Sequence, residues 1–273
     1  MARLLKFLGL ASSTYYYRRS KPVRPDRYAE ARPALREEFA NAYRAYGYRR
    51  MRVVLRTRHG LRISGKTVRR LMREEGCVCP VRRRRYRSYR GQIGRIAPNV
   101  LERDFTASAP AQKWATDVTE FTVAGQKLYL SPVIDLFNGE IITYTLRSSP
   151  TLQLVTDMLA TALKNHPMAK QTVIHSDQGW HYQHRAYRRL VDERGLTQSM
   201  SRKGNCLDNA KAESFFSHLK QEFIRPGRFS TVNEFKGKLA GYMHWYNHER
   251  IKETLGGLSP VQYRTQASQQ APR

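Results

Sequence analysis

Three carboxylates and one lysine have side-chain types and a spacing suited to chemistry on a phosphodiester. Asp177 and Glu213 lie 36 positions apart, Lys220 follows Glu213 by seven, and Asp117 lies upstream of all three. Mg²⁺ prefers oxygen ligands and is usually held by a few carboxylates together with substrate phosphate. Two such ions about 3.5–4 Å apart can activate the attacking oxygen and stabilise the leaving oxygen in phosphoryl transfer. The three acids are therefore suited to holding divalent metal against DNA phosphate.

For these side chains to converge, separate elements must carry them to one point. The pattern places Asp117 within a strand at 115–123, Asp177 just after a strand at 172–175, and Glu213 on a helix at about 209–224. Adjacent parallel strands would deliver both aspartates to the same edge of a sheet. Carboxylates held together raise one another's pKa until metal binds, so we expect a metal-dependent site rather than a proton-sharing pair.

Lys220 adds a cation to this set. Seven residues are about two helical turns, so Lys220 projects from nearly the same face as Glu213 and could meet a DNA phosphate beside the metal. Plainer interpretations are also open. Lys220 could be an ordinary helix-surface lysine, and Glu213 a solvated helix residue. Asp117 could cap a turn, and Asp177 could form an Asx-turn with Gly179.

Net charge is concentrated in one part of the chain. Of 273 residues, 49 are Lys or Arg and 22 are Asp or Glu, a formal charge of +27. Residues 1–100 carry 27 basic and 6 acidic residues, a net of +21, whereas residues 101–273 carry 22 and 16, a net of +6. This asymmetry indicates a nucleic-acid-binding arm joined to a globular domain. A ribosomal-type or membrane-surface basic protein would share the charge but would not explain the carboxylates.

Composition also indicates the compartment. No apolar run approaches the length of a bilayer span, and the N-terminus lacks the apolar stretch and cleavage site of a secretory signal. Three cysteines, two of them in Cys77-Val-Cys79, give no disulfide framework and suit a reducing cytosol. We expect a cytoplasmic protein without membrane association.

Helical spacing of apolar residues predicts a helical DNA-binding region at residues 1–79, with a helix-turn-helix at about 45–76. Ser64 is suited to cap the second helix of this unit, and Gly76 to end it. An ordinary helical hairpin with a solvated basic face has the same pattern. The residues expected to contact DNA here are Arg49, Arg50, Lys66, Arg69, Arg70 and Arg73.

Residues 80–112 have the composition of a basic linker, and residues 113–273 that of a folded domain. In the linker, Arg82, Arg83, Arg84 and Arg85 form a charge run that we expect to order on DNA. Three hairpin-linked strands followed by strand–helix alternation predict an α/β domain with a mixed sheet flanked by helices. The predicted strands are 115–123, 127–137, 140–146, 172–175 and 196–200, and the predicted helices are 152–165, 186–194, 209–224 and 232–248.

The residues around these acids resemble a known family, the integrase-like insertion-sequence transposases, and more narrowly the OrfB part of the insertion-sequence-three family. The resemblance extends over about residues 40–265, including the helix-turn-helix region and the ending Leu258-Ser259-Pro260. The segments that carry it are Trp114-Ala-Thr-Asp117-Val-Thr119, His175-Ser-Asp177-Gln-Gly179-Trp-His-Tyr, Ser201-Arg-Lys-Gly-Asn205-Cys-Leu-Asp208-Asn209-Ala-Lys-Ala-Glu213-Ser-Phe-Phe and Tyr246-Asn247-His-Glu-Arg250.

This resemblance implies an RNase H-like catalytic core with a DDE site. It implies that Asp117, Asp177 and Glu213 hold two Mg²⁺ or Mn²⁺ ions, and it places Lys220 on the basic position two turns after the glutamate. The implied chemistry is nicking at a transposon end followed by attack of the freed 3′-hydroxyl on another phosphodiester. Because no covalent enzyme–DNA intermediate is expected, neither Ser176 nor the tyrosines at 15–17 are candidate nucleophiles.

The resemblance also implies partners. We expect double-stranded DNA, an OrfA or OrfAB fusion partner, a homo-oligomer on DNA, and a location with the bacterial nucleoid. The cysteines at 77, 79 and 206 do not match the zinc module of retroviral integrases, so we expect no zinc. Lys203, in a polar loop before Glu213, is a further expected DNA contact.

Two other interpretations remain open at this point: a metal-dependent nuclease without strand transfer, and a helix-turn-helix regulator with an inert core. The sequence does not choose between DNA contact and packing for His244, Asn247 and Arg250. It does not give the DNA ends recognised, the target preference, the oligomeric state, or whether the chain acts without its partner.

Overall fold

The computed structural model describes residues 5, 7, 9, 11–20, 25–79, 96–166, 171–202 and 206–270. Five basic residues expected to contact DNA lie outside the described residues, namely Arg82, Arg83, Arg84, Arg85 and Lys203. Four described helices precede the sheet: α1 at Ser12–Ser20, α2 at Ala31–Asn41, α3 at Tyr48–His59 and α4 at Gly65–Glu74.

Helices α3 and α4 lie where the helix-turn-helix is predicted, and the residues between them set their ends. Gly60 ends α3 with a φ of +68°, a left-handed conformation that glycine adopts without steric cost. Ser64 Oγ accepts a hydrogen bond from the backbone N–H of Thr67 at 3.2 Å, which satisfies a free donor in the first turn of α4. The cap predicted at Ser64 is confirmed.

One mixed sheet contains all the strands of the described residues. These are β1 at Lys113–Thr116, β2 at Thr119–Val123, β3 at Gln126–Asp135, β4 at Ile141–Arg147, β5 at Val173–Ser176 and β6 at Thr197–Met200. Strand β3 pairs antiparallel with β4 along one side and with β2 and then β1 along the other. Strand β5 pairs parallel with β1, and β6 parallel with β5. The predicted mixed sheet is confirmed.

The strand predicted at 115–123 is interrupted at Asp117. Strands β1 and β2 pair with β3 in one continuous register, which sets Asp117 opposite Pro132. Proline has no backbone N–H and cannot complete a ladder of hydrogen bonds. The placement of Asp117 inside a strand is therefore wrong. It follows the last residue of β1, where the backbone leaves the sheet.

Helices cover both faces of this sheet, because successive strand residues point to opposite faces. On one face, Trp114 and Val133 share an apolar cluster with the helices at Leu152–Asn165 and Arg185–Glu193. On the other, Phe121 and Ile134 share a cluster with the helices at Ala210–Leu219 and Val232–His248. The helices of this part are α5 at Leu152–Asn165, α6 at Trp180–Gln183, α7 at Arg185–Glu193, α8 at Ala210–Leu219, α9 at Val232–His248 and α10 at Pro260–Gln270.

The helix predicted at 209–224 changes its winding partway. It is α-helical only through Leu219, and a π turn follows at Lys220–Ile224. The backbone N–H of Arg225 donates to the carbonyl of Lys220 at 2.9 Å, five residues back instead of four. In this turn the Glu222 side chain is buried against Tyr242 and Arg250. The wider turn coincides with this buried contact.

The N-terminal helices pack directly on the α/β part. Tyr43 and Tyr46 both contact the ring of Trp245, with centroids 4.8 and 6.1 Å away. The backbone N–H of Ile251 donates to Tyr46 Oη at 2.9 Å. Apolar residues of α2, α3 and α4 belong to the same buried cluster as those of α8 and α9. The division of the chain at residues 79/80 and 112/113 stays a prediction.

Within the described residues, no helix combines the length and apolar character that a bilayer crossing needs.

Candidate active site

Asp117 and Asp177 lie at the carboxyl ends of two neighbouring parallel strands. The register of β1 and β5 sets Ala115 opposite His175, so the two aspartates, each two residues later, leave the sheet at the same edge. Both side chains are half-buried. Adjacent parallel strands, which the sequence offers as one way to bring the two aspartates together, are present in the structure.

Asp177 also forms an Asx-turn with Gly179, which is the plainer interpretation of this residue. Its Oδ1 accepts a hydrogen bond from the backbone N–H of Gly179 at 2.8 Å. A Cβ at Gly179 would approach this oxygen to 2.9 Å, which is closer than carbon and oxygen normally come. A carboxylate can accept about four hydrogen bonds or ligand contacts, so the turn orients the side chain and leaves most of its acceptor capacity available.

Glu213 and Lys220 come from the helix that follows. Glu213 lies in the first turn of α8, and Lys220 comes directly after its last residue. The backbone of Lys220 is still helical, with φ −65° and ψ −37°, so the predicted two-turn spacing is kept. Burial lowers the pKa of Lys220, and the negative charge of Asp117 acts in the opposite direction. The lysine is therefore within electrostatic reach of the first aspartate.

The ionisation of Asp117 depends on the other two acids. Burial raises the pKa of Asp117 well above its usual range, and the charges of Asp177 and Glu213 raise it further. The backbone N–H of Val118, which donates to Asp117 Oδ1 at 2.8 Å, and the charge of Lys220 lower it. Burial also raises the pKa of Asp177. Negative charge is thus costly at this edge of the sheet unless a cation compensates it.

This donor set suits a hard divalent cation, because it consists of carboxylate oxygens without a soft ligand. In the part of the chain that the structure describes, however, no three His, Cys, Asp or Glu side chains are grouped closely enough to hold an ion as they stand. A cation bound there would compensate the mutual repulsion of the carboxylates.

Two buried polar residues, Tyr182 and Asn209, contact the residue before Asp117. Tyr182 is 1% exposed, and its Oη lies 3.4 Å from Thr116 Oγ1, one residue before Asp117. Asn209 Nδ2 donates weakly to the Thr116 carbonyl at 3.5 Å. Asn209 Oδ1 is buried without a hydrogen-bond partner among the described residues. Their only sequence signal is membership of the motifs around Asp177 and Glu213.

Asp208 anchors the chain just before α8. Its side chain is fully buried and accepts hydrogen bonds from Asn99 Nδ2, Arg103 Nε, and the backbone and guanidinium of Arg202. The hydrogen bonds of Arg202, and then that of Arg103, hold the pKa of Asp208 well below its usual range. The segment that starts at residue 96 is therefore fastened to the base of the helix that carries Glu213.

The basic residues of the helix-turn-helix differ in how available they are. Lys66, Arg69, Arg70 and Arg73 on α4 and Arg49 on α3 are exposed. Arg50 is half-buried, with its guanidinium over the Tyr46 ring and 3.8 Å from Glu222. A DNA contact by Arg50 would compete with these internal contacts. The other DNA contacts stay predictions.

The last long helix decides what the sequence left open. Arg250 is 1% exposed and makes a two-point ion pair with Glu222, at 2.6 and 2.8 Å. Asn247 bonds both the N–H and the carbonyl of Ile141 at the start of β4. These two residues pack the core, whereas His244 is exposed and stacks on His248.

Comparisons with known proteins fit this arrangement. Two models described as Integrase core domain match residues 107–206 and 213–267, and one described as HTH-like domain matches residues 27–85. The chain is 46% identical over 263 residues to the putative transposase InsK for insertion sequence element IS150 of Escherichia coli (strain K12), covering 96% of this chain and 93% of that protein. It is 44% identical over 267 residues to the probable transposase for insertion sequence element IS1353 of Shigella flexneri, covering 97% of this chain and 52% of that protein.

Among solved structures, a chain of the simian T-cell lymphotropic virus intasome in complex with PP2A regulatory subunit B56 gamma aligns with 88% of this chain and 75% of its own length, at 15% identity and a TM-score of 0.49. The sequence relatives carry the assignment, because their identity extends over nearly the whole chain. This protein belongs to the insertion-sequence transposases, polynucleotidyl transferases built on an integrase core domain.

Proposed function

We propose that this chain cleaves DNA at transposon ends and transfers the freed 3′-hydroxyl to another phosphodiester, using Asp117, Asp177 and Glu213. The observation that carries the proposal is the meeting of the two aspartates at one sheet edge, where the charges of Glu213 and Lys220 both act on Asp117. A half-buried acid whose pKa is raised by two neighbouring acids is a costly arrangement, and phosphoryl transfer with divalent metal gives it a use.

Each residue has a separate part in this chemistry. The three carboxylates are the oxygen ligands for Mg²⁺ or Mn²⁺, of which two are expected. When bound, the ions supply activation of the attacking oxygen and stabilisation of the leaving oxygen. Lys220 contacts the phosphate beside the carboxylates. The Asx-turn at Gly179 orients Asp177, and the buried Tyr182 closes the floor of the site to water.

DNA and protein partners follow from the same proposal. Double-stranded DNA is held by the exposed basic residues of α3 and α4 and, beyond the described residues, by the linker arginines and Lys203. An OrfA or OrfAB fusion partner and a homo-oligomer complete the active complex. The Shigella flexneri relative is longer than this chain. The matched region is 52% of that protein, so it has an additional segment outside the match. We place the protein in the bacterial cytoplasm, on the nucleoid.

The test is a set of isosteric substitutions at the acids. Asp117→Asn, Asp177→Asn and Glu213→Gln should each lower metal-dependent cleavage by on the order of 10³-fold or more, because a metal ligand is lost. DNA affinity should be kept, since these acids do not neutralise phosphate. Asp192→Asn, at an exposed aspartate of α7, is the matched control and should cleave like the wild type. Full cleavage by Asp117→Asn in Mg²⁺ contradicts the assignment.

A pre-cut DNA end separates the proposed function from its alternatives. With a free 3′-hydroxyl supplied on the end of the element, the transposase should join it to a second duplex without prior cleavage. Cleavage without joining would indicate a simple nuclease. Salt-sensitive binding with neither reaction, in the presence of the partner protein, would indicate a regulator.

A further inference from the structure

A large open groove lies between the N-terminal helices and the α/β part, away from the carboxylates. It has a volume of about 890 Å³ and is bounded by the start of α3, one side of α8, the loop after β3, and the chain after α9. A second depression of about 450 Å³ continues along α3 past Arg52 and Arg56. The two share Tyr48, Arg49 and Glu253, so they form one continuous path. We call this path the α3–α8 groove.

Cations from separate elements converge on this groove. Arg49 and Arg50 come from α3, Lys211 from α8, and Lys252 from the chain after α9. Lys252 Nζ donates to the carbonyls of Asn138 and Gly139 at 3.1 and 2.9 Å. Burial lowers the pKa of Lys252 to about 7, and the charges of Arg250, Lys211 and Arg50 act in the same direction. An anion in the groove would relieve this repulsion.

The acids of the groove are largely committed to other partners. Asp135 accepts hydrogen bonds from the backbone N–H groups of Ala111 and Phe137 at 2.7 and 2.9 Å. Arg250, which lines the groove, is itself paired with Glu222. Glu253 is close enough to Arg49 to raise its pKa. Exposed cations therefore remain along the groove, namely Lys211, Arg49, Arg52 and Arg56.

Aromatic rings line the same path, which suits a nucleotide chain better than a simple inorganic anion. Tyr48, Phe105, Phe137 and Tyr263 are half-buried along its walls, and the last two pack with centroids 5.3 Å apart. Nucleic-acid grooves commonly combine cations that follow the backbone with rings that contact sugars and bases.

The groove and the carboxylates lie on different sides of α8. Lys211, Ser214 and His218 line the groove at positions i, i+3 and i+7 of one helix face. At about 100° per residue, Lys211 and Glu213 point roughly 160° apart. A strand in the groove is therefore separated from the reacting phosphate by the thickness of a helix.

We propose that the α3–α8 groove binds the phosphodiester backbone of a DNA segment other than the one held at Asp117, Asp177 and Glu213. This inference rests on the proposed function only in taking DNA as the substrate. The groove joins the exposed basic face of α3 to the helix that carries Glu213. It therefore couples DNA held by the helix-turn-helix to the position of the catalytic helix.

The test compares two double charge reversals that change the net charge equally. Arg49→Glu with Lys211→Glu alters the groove, whereas Lys164→Glu with Lys236→Glu alters exposed lysines of α5 and α9 outside it. The affinity for a labelled DNA duplex is measured by fluorescence anisotropy at several salt concentrations. Loss of two phosphate contacts should reduce the slope of log affinity against log salt by about two and the affinity by about tenfold or more. The control pair should keep the wild-type slope.

Three outcomes decide between the possibilities. Equal weakening by both double variants would mean a long-range charge effect, and the proposal would be overturned. It is also overturned if the groove variant loses affinity for polyglutamate but not for DNA, since the occupant is then an acidic protein. A reduced slope in a protein that neither cuts nor joins DNA would support the groove and refute the proposed function. Matching thermal midpoints of both variants show that each is folded.

Discussion

At the scale of single residues, burial decides which charged groups serve chemistry and which serve packing. Asp117, Asp177 and Lys220 are half-buried at one sheet edge, where each changes the electrostatic environment of another. Arg250 has a similar sequence context of polar neighbours but is fully buried against Glu222. Exposure, which the sequence does not show, separates these cases.

Lys252 gives a residue-scale prediction about pH. Its pKa of about 7 means that it is charged below neutral pH and increasingly neutral above it. A DNA phosphate in the groove favours the charged form of Lys252. DNA affinity should therefore fall several-fold as the pH rises from about one unit below 7 to about one unit above it. The charged groups that act on Lys252 are Arg250, Lys211, Arg50 and Glu140. Its Nζ also lies over the Tyr246 ring, and its charge acts on His218, whose pKa burial lowers to about 4.

The comparison is Lys252→Arg, which stays charged throughout this range. Its DNA affinity should be nearly independent of pH in the same buffers. A wild-type DNA affinity that does not change between about pH 6 and about 8 would contradict this prediction. Anisotropy titrations with one duplex at constant ionic strength provide the measurement.

At the scale of elements, two local departures from regular structure shape the site. The gap between β1 and β2 releases Asp117 from the sheet, and the π turn after α8 buries Glu222 while Lys220 keeps its helical direction. Each departure coincides with a distant partner, Pro132 on β3 and Arg250 after α9. Asp208 is a third local feature of the site, because its hydrogen bonds connect the start of α8 to residues 96–104.

The buried ion pair of the π turn gives the element-scale prediction. Burial acts to raise the pKa of Glu222, and Arg250 overcomes this effect, so that the pKa lies below its usual value. Glu222→Gln leaves Arg250 buried without its counter-charge and should lower the free energy of unfolding by about 3–5 kcal/mol. Glu193→Gln, in the exposed pair with Arg189, should change it by less than about 1 kcal/mol. Urea unfolding measures both, and equal effects would refute the role assigned to the buried pair.

At the scale of the whole molecule, the helix-turn-helix and the α/β part share one apolar cluster. Tyr43, Tyr46 and Trp245 form its aromatic contact, and Tyr46 Oη accepts the backbone N–H of Ile251. The helix-turn-helix is therefore held against the core by buried contacts. The α3–α8 groove lies along the same junction.

This junction predicts a single cooperative unfolding. Circular dichroism, dominated by helices, and tryptophan fluorescence should give coincident denaturant transitions. Tyr46→Phe removes the acceptor of a buried N–H and should lower the stability by about 1–3 kcal/mol in both signals. Tyr16→Phe, at a tyrosine that is 55% exposed, is the control and should change neither. Two separate transitions would show that the helical region folds independently of the core.

The sequence by itself determined the elements and the candidate chemistry. The helices at 152–165 and 232–248 were predicted with the bounds that the structure has, because apolar periodicity and caps are local properties. The acids at 117, 177 and 213 were found in the same way, from local motifs. Their catalytic roles stay a proposal, and the parallel pairing that brings two of them together is seen only in the structure.

Only the tertiary structure decided how these elements are used. The interruption at Asp117, the internal pairing of Arg50 and Arg250, the anchor at Asp208 and the α3–α8 groove all arise between residues far apart in the chain. No periodicity records such contacts, because burial and pairing depend on which surfaces meet after the chain has folded. The carboxylates could therefore be read from the sequence, whereas the surroundings that tune them could not.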